Sequence, residues 1–250
     1  MNVSGLFSRF LGFTVLVAGW QAVSLTSGEF FFPSPSTVFT IVANLVVSGD
    51  FAVPTVITLA RVTLGMALAI VFGVLIGILT GARRFIDSLI GPLLIMFMLT
   101  PSLLIVFLSV FTFGFYDYVP SLAAAIVHTP FTAVVIRGQM LNPPREKLEM
   151  AHAFGAGGGL IIRHIYIPYL VPTITSEARV AYAHAWKITV LAEIFGFSSG
   201  AGYMIKIYFA SLDIARVLAW ALILIVTVMV VEEVLRVVEK NLSRWRGRNV

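Results

Sequence analysis

The residues with the most chemistry to offer sit where an apolar chain accommodates them least. Arg179 and Lys187 fall inside a long apolar stretch at about 170–195, with Tyr182 and Trp186 beside them. Ionisable groups at membrane depth are costly and by default mark a solute path or a protein partner. Arg179, Ala183 and Lys187 follow at four-residue steps, a spacing that predicts one helical face with the two cations about 12 Å apart along the axis. A cationic stripe edged by aromatic rings suits an anionic or aromatic-anionic solute. Glu177 and Glu193 are also near enough in sequence to pair with these cations from neighbouring helices, and Lys187 is long enough to snorkel to an interface. The pathway reading and the structural reading both stand at this level.

Other chemistries find little support. His128, His152, His164 and His184 are scattered over different segments without a ligand spacing. Glu149 and His152, three apart, would share a helical face, but a zinc site needs more ligands than that, so solvated loop histidines and no metal are expected. There is no cysteine, which removes disulfides, thiolate ligands and cysteine nucleophiles. No Ser, His and Asp arrangement stands out as a catalytic site. The run Gly155-Ala156-Gly157-Gly158-Gly159 resembles a phosphate loop only in its glycines, since no Gly-Lys pair occurs anywhere in the chain.

The elements that must position these residues follow from composition. The 250 residues are 59% hydrophobic and only 12% charged, with a mean hydropathy of +0.98, against about 45–50% and about 25% in soluble domains. An all-α integral membrane protein is expected, with about six transmembrane helices at 7–25, 55–81, 86–113, 119–137, 170–195 and 214–238. The first segment is long and lacks a clear cleavage site, so an uncleaved span is expected. The net charge of +5 rests on few, dispersed residues and fits a lipid surface rather than nucleic acid.

Basic residues orient the chain. Arg9, Arg83, Arg84, Arg137, Arg145, Lys147, Arg163, Arg236, Lys240, Arg244, Arg246 and Arg248 fall on one side, twelve of the 17, while Arg61, Lys206 and Arg216 fall on the other. Because cytoplasmic loops collect Lys and Arg, the basic side is predicted to be cytoplasmic and to hold both termini.

Within the second span Gly65, Ala69, Gly73, Gly77 and Gly81 recur every four residues and predict a stripe along which another helix approaches closely. Pro92, Pro101, Pro120, Pro130, Pro168 and Pro172 lie in or beside spans. Kinks around a pathway and kinks of no transport significance are both open for Pro101 and Pro130.

The only long loop on the basic side, 138–168, has a pattern of its own. Pro143 and Pro144 can open a helix, Glu146 and Glu149 suit its first turns, and Leu148, Ala151 and Phe154 make an apolar face. The glycine run ends that helix, and a second helical stretch leads through Ile161, Ile162 and Ile165 to Pro168. A short amphipathic helix held at a membrane surface is a docking element for another protein.

Glu149-Met150-Ala151, then Gly155, then Ile165-Tyr166-Ile167-Pro168 resembles the EAA signature of ATP-binding-cassette (ABC) importer permeases, E-A-A-x3-G-x9-I-x-L-P. The spacing is kept, with Met150 in place of Ala and Ile167 in place of Leu. Phe32-Pro33-Ser34-Pro35, Thr58-Leu59-Ala60-Arg61-Val62, Pro92, Pro101, Ala192-Glu193 and Gly200-Ala201-Gly202-Tyr203 look like the branch that carries nitrate, sulfonate and taurine.

The resemblance implies a type I importer fold, a single permease domain over 1–250 with its core at 55–238, and a coupling loop at 138–168. Glu149, Ala151, Gly155, Ile165 and Pro168 would couple the spans to an ATPase. It further implies two cytoplasmic ABC ATPase subunits that hold ATP and Mg, so this chain has no cofactor and is not itself an enzyme. A periplasmic or lipid-anchored solute-binding protein, a homodimer and a bacterial inner-membrane location complete the expectation. Arg179, Tyr182, Trp186 and Lys187 are the candidate substrate path for a small anion. An ion-gradient-driven secondary transporter or channel is the alternative, disfavoured by the lack of a convincing inverted repeat.

Overall fold

The computed structural model describes residues 3–243, with side chains described for 11, 12 and 14–237. Arg244, Arg246 and Arg248 lie outside the described residues, as do the side chains of Arg9 and Lys240. Among the described residues the chain is helical, without strands: α1 (Val3–Ser27), α2 (Pro35–Ser48), α3 (Ala52–Ala82), α4 (Arg84–Leu99), α5 (Ser102–Phe113), α6 (Val119–Leu141), α7 (Arg145–Ala153), α8 (Gly158–Ile161), a π turn (Ile162–Tyr166), α9 (Ile167–Gly196), α10 (Ala201–Ala210) and α11 (Ile214–Ser243). Among the described residues α3, α6 and α11 are each long and apolar enough to cross a membrane alone, and two bent pairs, α4 with α5 and 158–196 with α10, bring the number to five. α1 covers the remaining expected span at 7–25.

The glycine stripe of α3 is packed as its spacing requires. A Cβ on Gly65 would lie 2.9 Å from the Ser121 carbonyl, and one on Gly77 would lie 2.6 Å from the Ala133 carbonyl and 2.7 Å from the Ile136 Cβ. Gly73 meets Thr132 and Gly81 meets Met140 in the same way. These pairs rise together along both helices, so α3 and α6 run parallel. α6 is the central helix, with 67% of its apolar window buried, against 28% for α3.

Parallel neighbours oblige the chain to cross back between them, and α4 with α5 does so. The expected third span at 86–113 is therefore two helices, bent by 104° at Thr100 and Pro101. The physical reason is Pro101, which lacks an N–H and pushes Thr100 into the extended region, at φ −72° and ψ 128°. Pro92, Pro130 and Pro172, by contrast, lie inside α4, α6 and α9. At the basic end Arg137 grips Asp87 with two donors, Nη2 to Oδ2 at 2.6 Å and Nε to Oδ1 at 2.5 Å, and so fastens the start of α4 to α6.

The opposite end is closed by a buried ion pair that joins two segments far apart in sequence. Arg61 of α3 donates to Glu193 of α9 at 2.8 Å, and the two side chains are 6% and 0% exposed. Thr58 donates to the same carboxylate at 2.8 Å and accepts from the Ala201 N–H at 2.8 Å, while the Gly202 N–H reaches Glu193 at 2.9 Å. Arg61 is completed by Asp117 Oδ1 at 2.8 Å and Ser199 Oγ at 2.7 Å. The carboxylate thus lies against the first amides of α10, where helix ends favour negative charge. Gly200, at φ +98°, and Gly202 leave it room; a Cβ at 202 would sit 2.7 Å from the Glu193 Cβ.

Two outcomes follow from this packing. Gly77→Val should lower the thermal midpoint in lipid or detergent, since overpacking costs about 1–3 kcal/mol, whereas Gly19→Ala, with nothing within 4 Å, should leave it unchanged. Arg61→Ala should destabilise by about 3–5 kcal/mol because it strands a buried carboxylate, and adding Glu193→Gln should restore part of that loss. Thermal unfolding monitored by circular dichroism measures both.

Candidate functional site

The break between α4 and α5 opens a cavity of about 460 Å³. Thr100 and Ser102 face it from the two sides of the break, His184 and Lys187 face it from α9, and Phe97, Phe131 and Leu191 supply apolar wall. Non-helical backbone is tolerated at membrane depth where it lines a cavity. Pro101 therefore does more than kink a span: it turns two hydroxyl residues toward the one exposed cation of α9.

The four candidate pathway residues separate. Lys187 lines the cavity. Arg179 pairs with Glu232 of α11 at 3.4 Å. Tyr182 and Trp186, 2% and 7% exposed, belong to the apolar core. Eight residues carry a helix about 80° past two full turns at about 3.6 residues per turn, so four-residue steps drift off one face. In place of Arg179 the structure puts His184 beside Lys187.

His184 belongs to a polar chain through the middle of the helix bundle. Its Nδ1 lies 3.0 Å from Nδ1 of His128 on α6, and His128 Nε2 lies 3.2 Å from Glu177 Oε1 on α9. Thr132 donates to the same Glu177 oxygen at 3.4 Å. The loop histidines His152 and His164 are exposed as expected, whereas His128, inside a span, is 1% exposed. A spacing signal for this cluster exists: His128 and Thr132 are four apart in one apolar span, and Glu177 and His184 seven apart in another, both intervals that keep side chains on one helical face. Among the described residues no group of three His, Cys, Asp or Glu is arranged to hold a metal ion.

The loop of 138–168 contains the expected helix and turn. α7 has no buried residue, and Met150 and Phe154 are 57% and 83% exposed. Glu149 is exposed and Ala151 half-buried. Gly155 has φ +70°; its N–H donates to the His152 carbonyl at 3.0 Å, and the Ala156 N–H donates to the Ala151 carbonyl at 2.9 Å. This pair of bonds is a Schellman motif, which calls for a left-handed residue at the Gly155 position. Ile165 falls in the π turn, and Pro168 stands in the first turn of α9. Pro168 has no N–H to return to the turn below, and the wider π turn gives its ring room. The helical path is consequently continuous from Gly158 to Gly196, and the loop of 138–168 joins the helix that lines the cavity without a hinge of coil. Tyr169 Oη fastens its base to the end of α6 through the Asn142 carbonyl, at 2.6 Å.

Comparison with known proteins places this architecture. A probable ABC transporter permease of Brucella abortus is 25% identical over 248 residues, covering 99% of this chain and 98% of that protein. A putative aliphatic sulfonates transport permease of Bacillus subtilis is 27% identical over 237 residues, covering 93% and 85%. The fold matches the inward-facing methionine ABC transporter MetNI with a TM-score of 0.66 at 16% identity, covering 74% of this chain and 92% of that one. The family model described as the binding-protein-dependent transport system inner membrane component matches residues 69–244. With the family model covering residues 69–244, the chain belongs to the family of inner-membrane permease components of binding-protein-dependent ABC importers.

Proposed function

We propose that this permease moves a small anionic solute, of the sulfonate or nitrate type, into the cytoplasm, using ATP hydrolysed on separate subunits. The observation that carries the reading is the continuous helix of 158–196, which begins at the exposed docking loop and presents His184 and Lys187 to the cavity. Work delivered at α7 has a direct mechanical route to the solute. The cavity offers an ammonium and two hydroxyls, a donor set suited to an oxyanion, with an imidazole beside them. The sulfonate permease likeness agrees with that chemistry.

In this reading Glu149, Ala151 and Gly155 seat α7 in a cleft of the ATPase, and Ile165 with Pro168 transmit its motion to α9. Two copies of the chain pair across the pathway, each bound to one ATPase that holds ATP and Mg, with a solute-binding protein on the far side. The basic end faces the cytoplasm, following the distribution of Arg and Lys. Chemistry stays on the ATPase; this chain contributes binding and alternating access. Family membership favours this over the ion-gradient alternative.

Lys187→Ala should lower solute uptake by proteoliposomes at least tenfold with the assembly intact, and Lys187→Arg should retain most of it. Uptake at the wild-type level in Lys187→Ala would remove the anion site. At the docking loop, a side chain in the left-handed region costs about 1–2 kcal/mol, so Gly155→Val should weaken solute-stimulated ATP hydrolysis by the assembled transporter severalfold. Gly155→Asn, which tolerates that region, should keep it.

A further inference from the structure

The bonds that run from Glu177 through His128 to His184 are not used by solute movement or docking as described, and they end on the imidazole that faces the cavity. Glu177 and His128 are 8% and 1% exposed, while His184 is half-buried and lines the cavity. Since His184 spends Nδ1 on His128, Nε2 is the ring atom left for the cavity.

A neutral imidazole has one donor nitrogen and one acceptor nitrogen, so the sense of each bond fixes the next. With Glu177 ionised, its Oε1 accepts from the His128 Nε2–H. His128 Nδ1 is then an acceptor, the His184 Nδ1–H donates to it, and His184 Nε2 shows the cavity a lone pair. One added proton reverses every bond. The proton joins His184 Nε2, the Nδ1 proton of His184 passes to His128 Nδ1, and the Nε2 proton of His128 passes to Glu177. The trio goes from one net negative charge to neutral, both rings end as neutral imidazoles, and His184 Nε2–H now donates into the cavity.

We propose that Glu177, His128 and His184 form a proton relay that converts the cavity face of His184 from acceptor to donor, so that an oxyanion binds together with one proton. The inference rests on the reading of the cavity as an anion site. An oxyanion is repelled by a lone pair and held by an N–H, so it favours the loaded form, and by linkage the loaded form favours the oxyanion by the same factor. The charged and titratable groups acting on His184 are His128 from α6 and Glu177 and Lys187 from its own helix; the α4–α5 wall contributes Thr100 and Ser102, neither charged. His184 is the specificity-determining residue, and His128 and Glu177 act through it as positioning residues.

The test is nitrogen NMR of the ¹⁵N-histidine-labelled permease, assembled with its ATPase in lipid nanodiscs, with signals assigned through His152→Gln and His164→Gln. From alkaline to mildly acidic pH, His184 should pass from the Nδ1–H to the Nε2–H tautomer without becoming an imidazolium, and Glu177→Gln should abolish the pH dependence. A wild-type His184 that keeps one tautomer, or that gains both protons, overturns the relay whatever the solute. Methanesulfonate should raise the midpoint pH of the switch by about one unit for each tenfold preference for the loaded form, and neutral methanesulfonamide should not. A switch whose midpoint methanesulfonate leaves in place overturns the anion reading of the cavity, and the coupling with it, while the relay itself stands.

Discussion

Lipid tails are as apolar as leucine, so helices in a bilayer gain little by merely facing one another and must hold by close contact and polar pairing. The α3–α6 seam is where this chain meets that constraint. Because Gly65, Gly73, Gly77 and Gly81 admit the side chains and carbonyls of α6, the two helices run parallel in near backbone contact. Everything between them then has to recross the layer. That crossing is made by α4 and α5, and its 104° break is what leaves a cavity beside α9. Two polar clamps hold the crossing at its ends, Asp87 with Arg137 at one and Asp117 with Arg61 at the other.

The charges at membrane depth divide by how fully they are answered. Arg61 and Glu193 are surrounded by donors and acceptors on every side, and such a saturated pair has nothing left to offer a solute; it fixes α3, α9 and α10 relative to one another. No ion pair joins Lys187 among the described residues, and it faces open space beside His184. Burial without a partner is costly, which is why the unanswered cation sits at a cavity and the answered one in the packed end.

Much of this was legible in the residues. The small-residue stripe of α3, most of the span positions and the loop helix closed by Gly155 all follow from local periodicity and turn chemistry, which depend on neighbours within a few residues. The meeting of Thr58 and Arg61 with Glu193 and Gly202 spans more than 130 positions, and the two segments could be quoted as motifs without their contact being visible. The expected stripe separates for a geometric reason: four-residue steps drift around a helix of 3.6 residues per turn, so Arg179 turns to Glu232 of α11 and His184 stands beside Lys187. The break at Thr100 read as a kink because a proline alone does not say whether the chain bends or stops.

The helix of 158–196 is roughly 58 Å long at about 1.5 Å per residue, and it touches α6 near its middle through His128 and Glu177. The same rod is tied at its base through Tyr169 and the Asn142 carbonyl and near its far end through Glu193 and Arg61. Braced at three levels against the α3–α6 layer, it has no free end to swing. Any displacement of it is therefore shared by the layer as a whole.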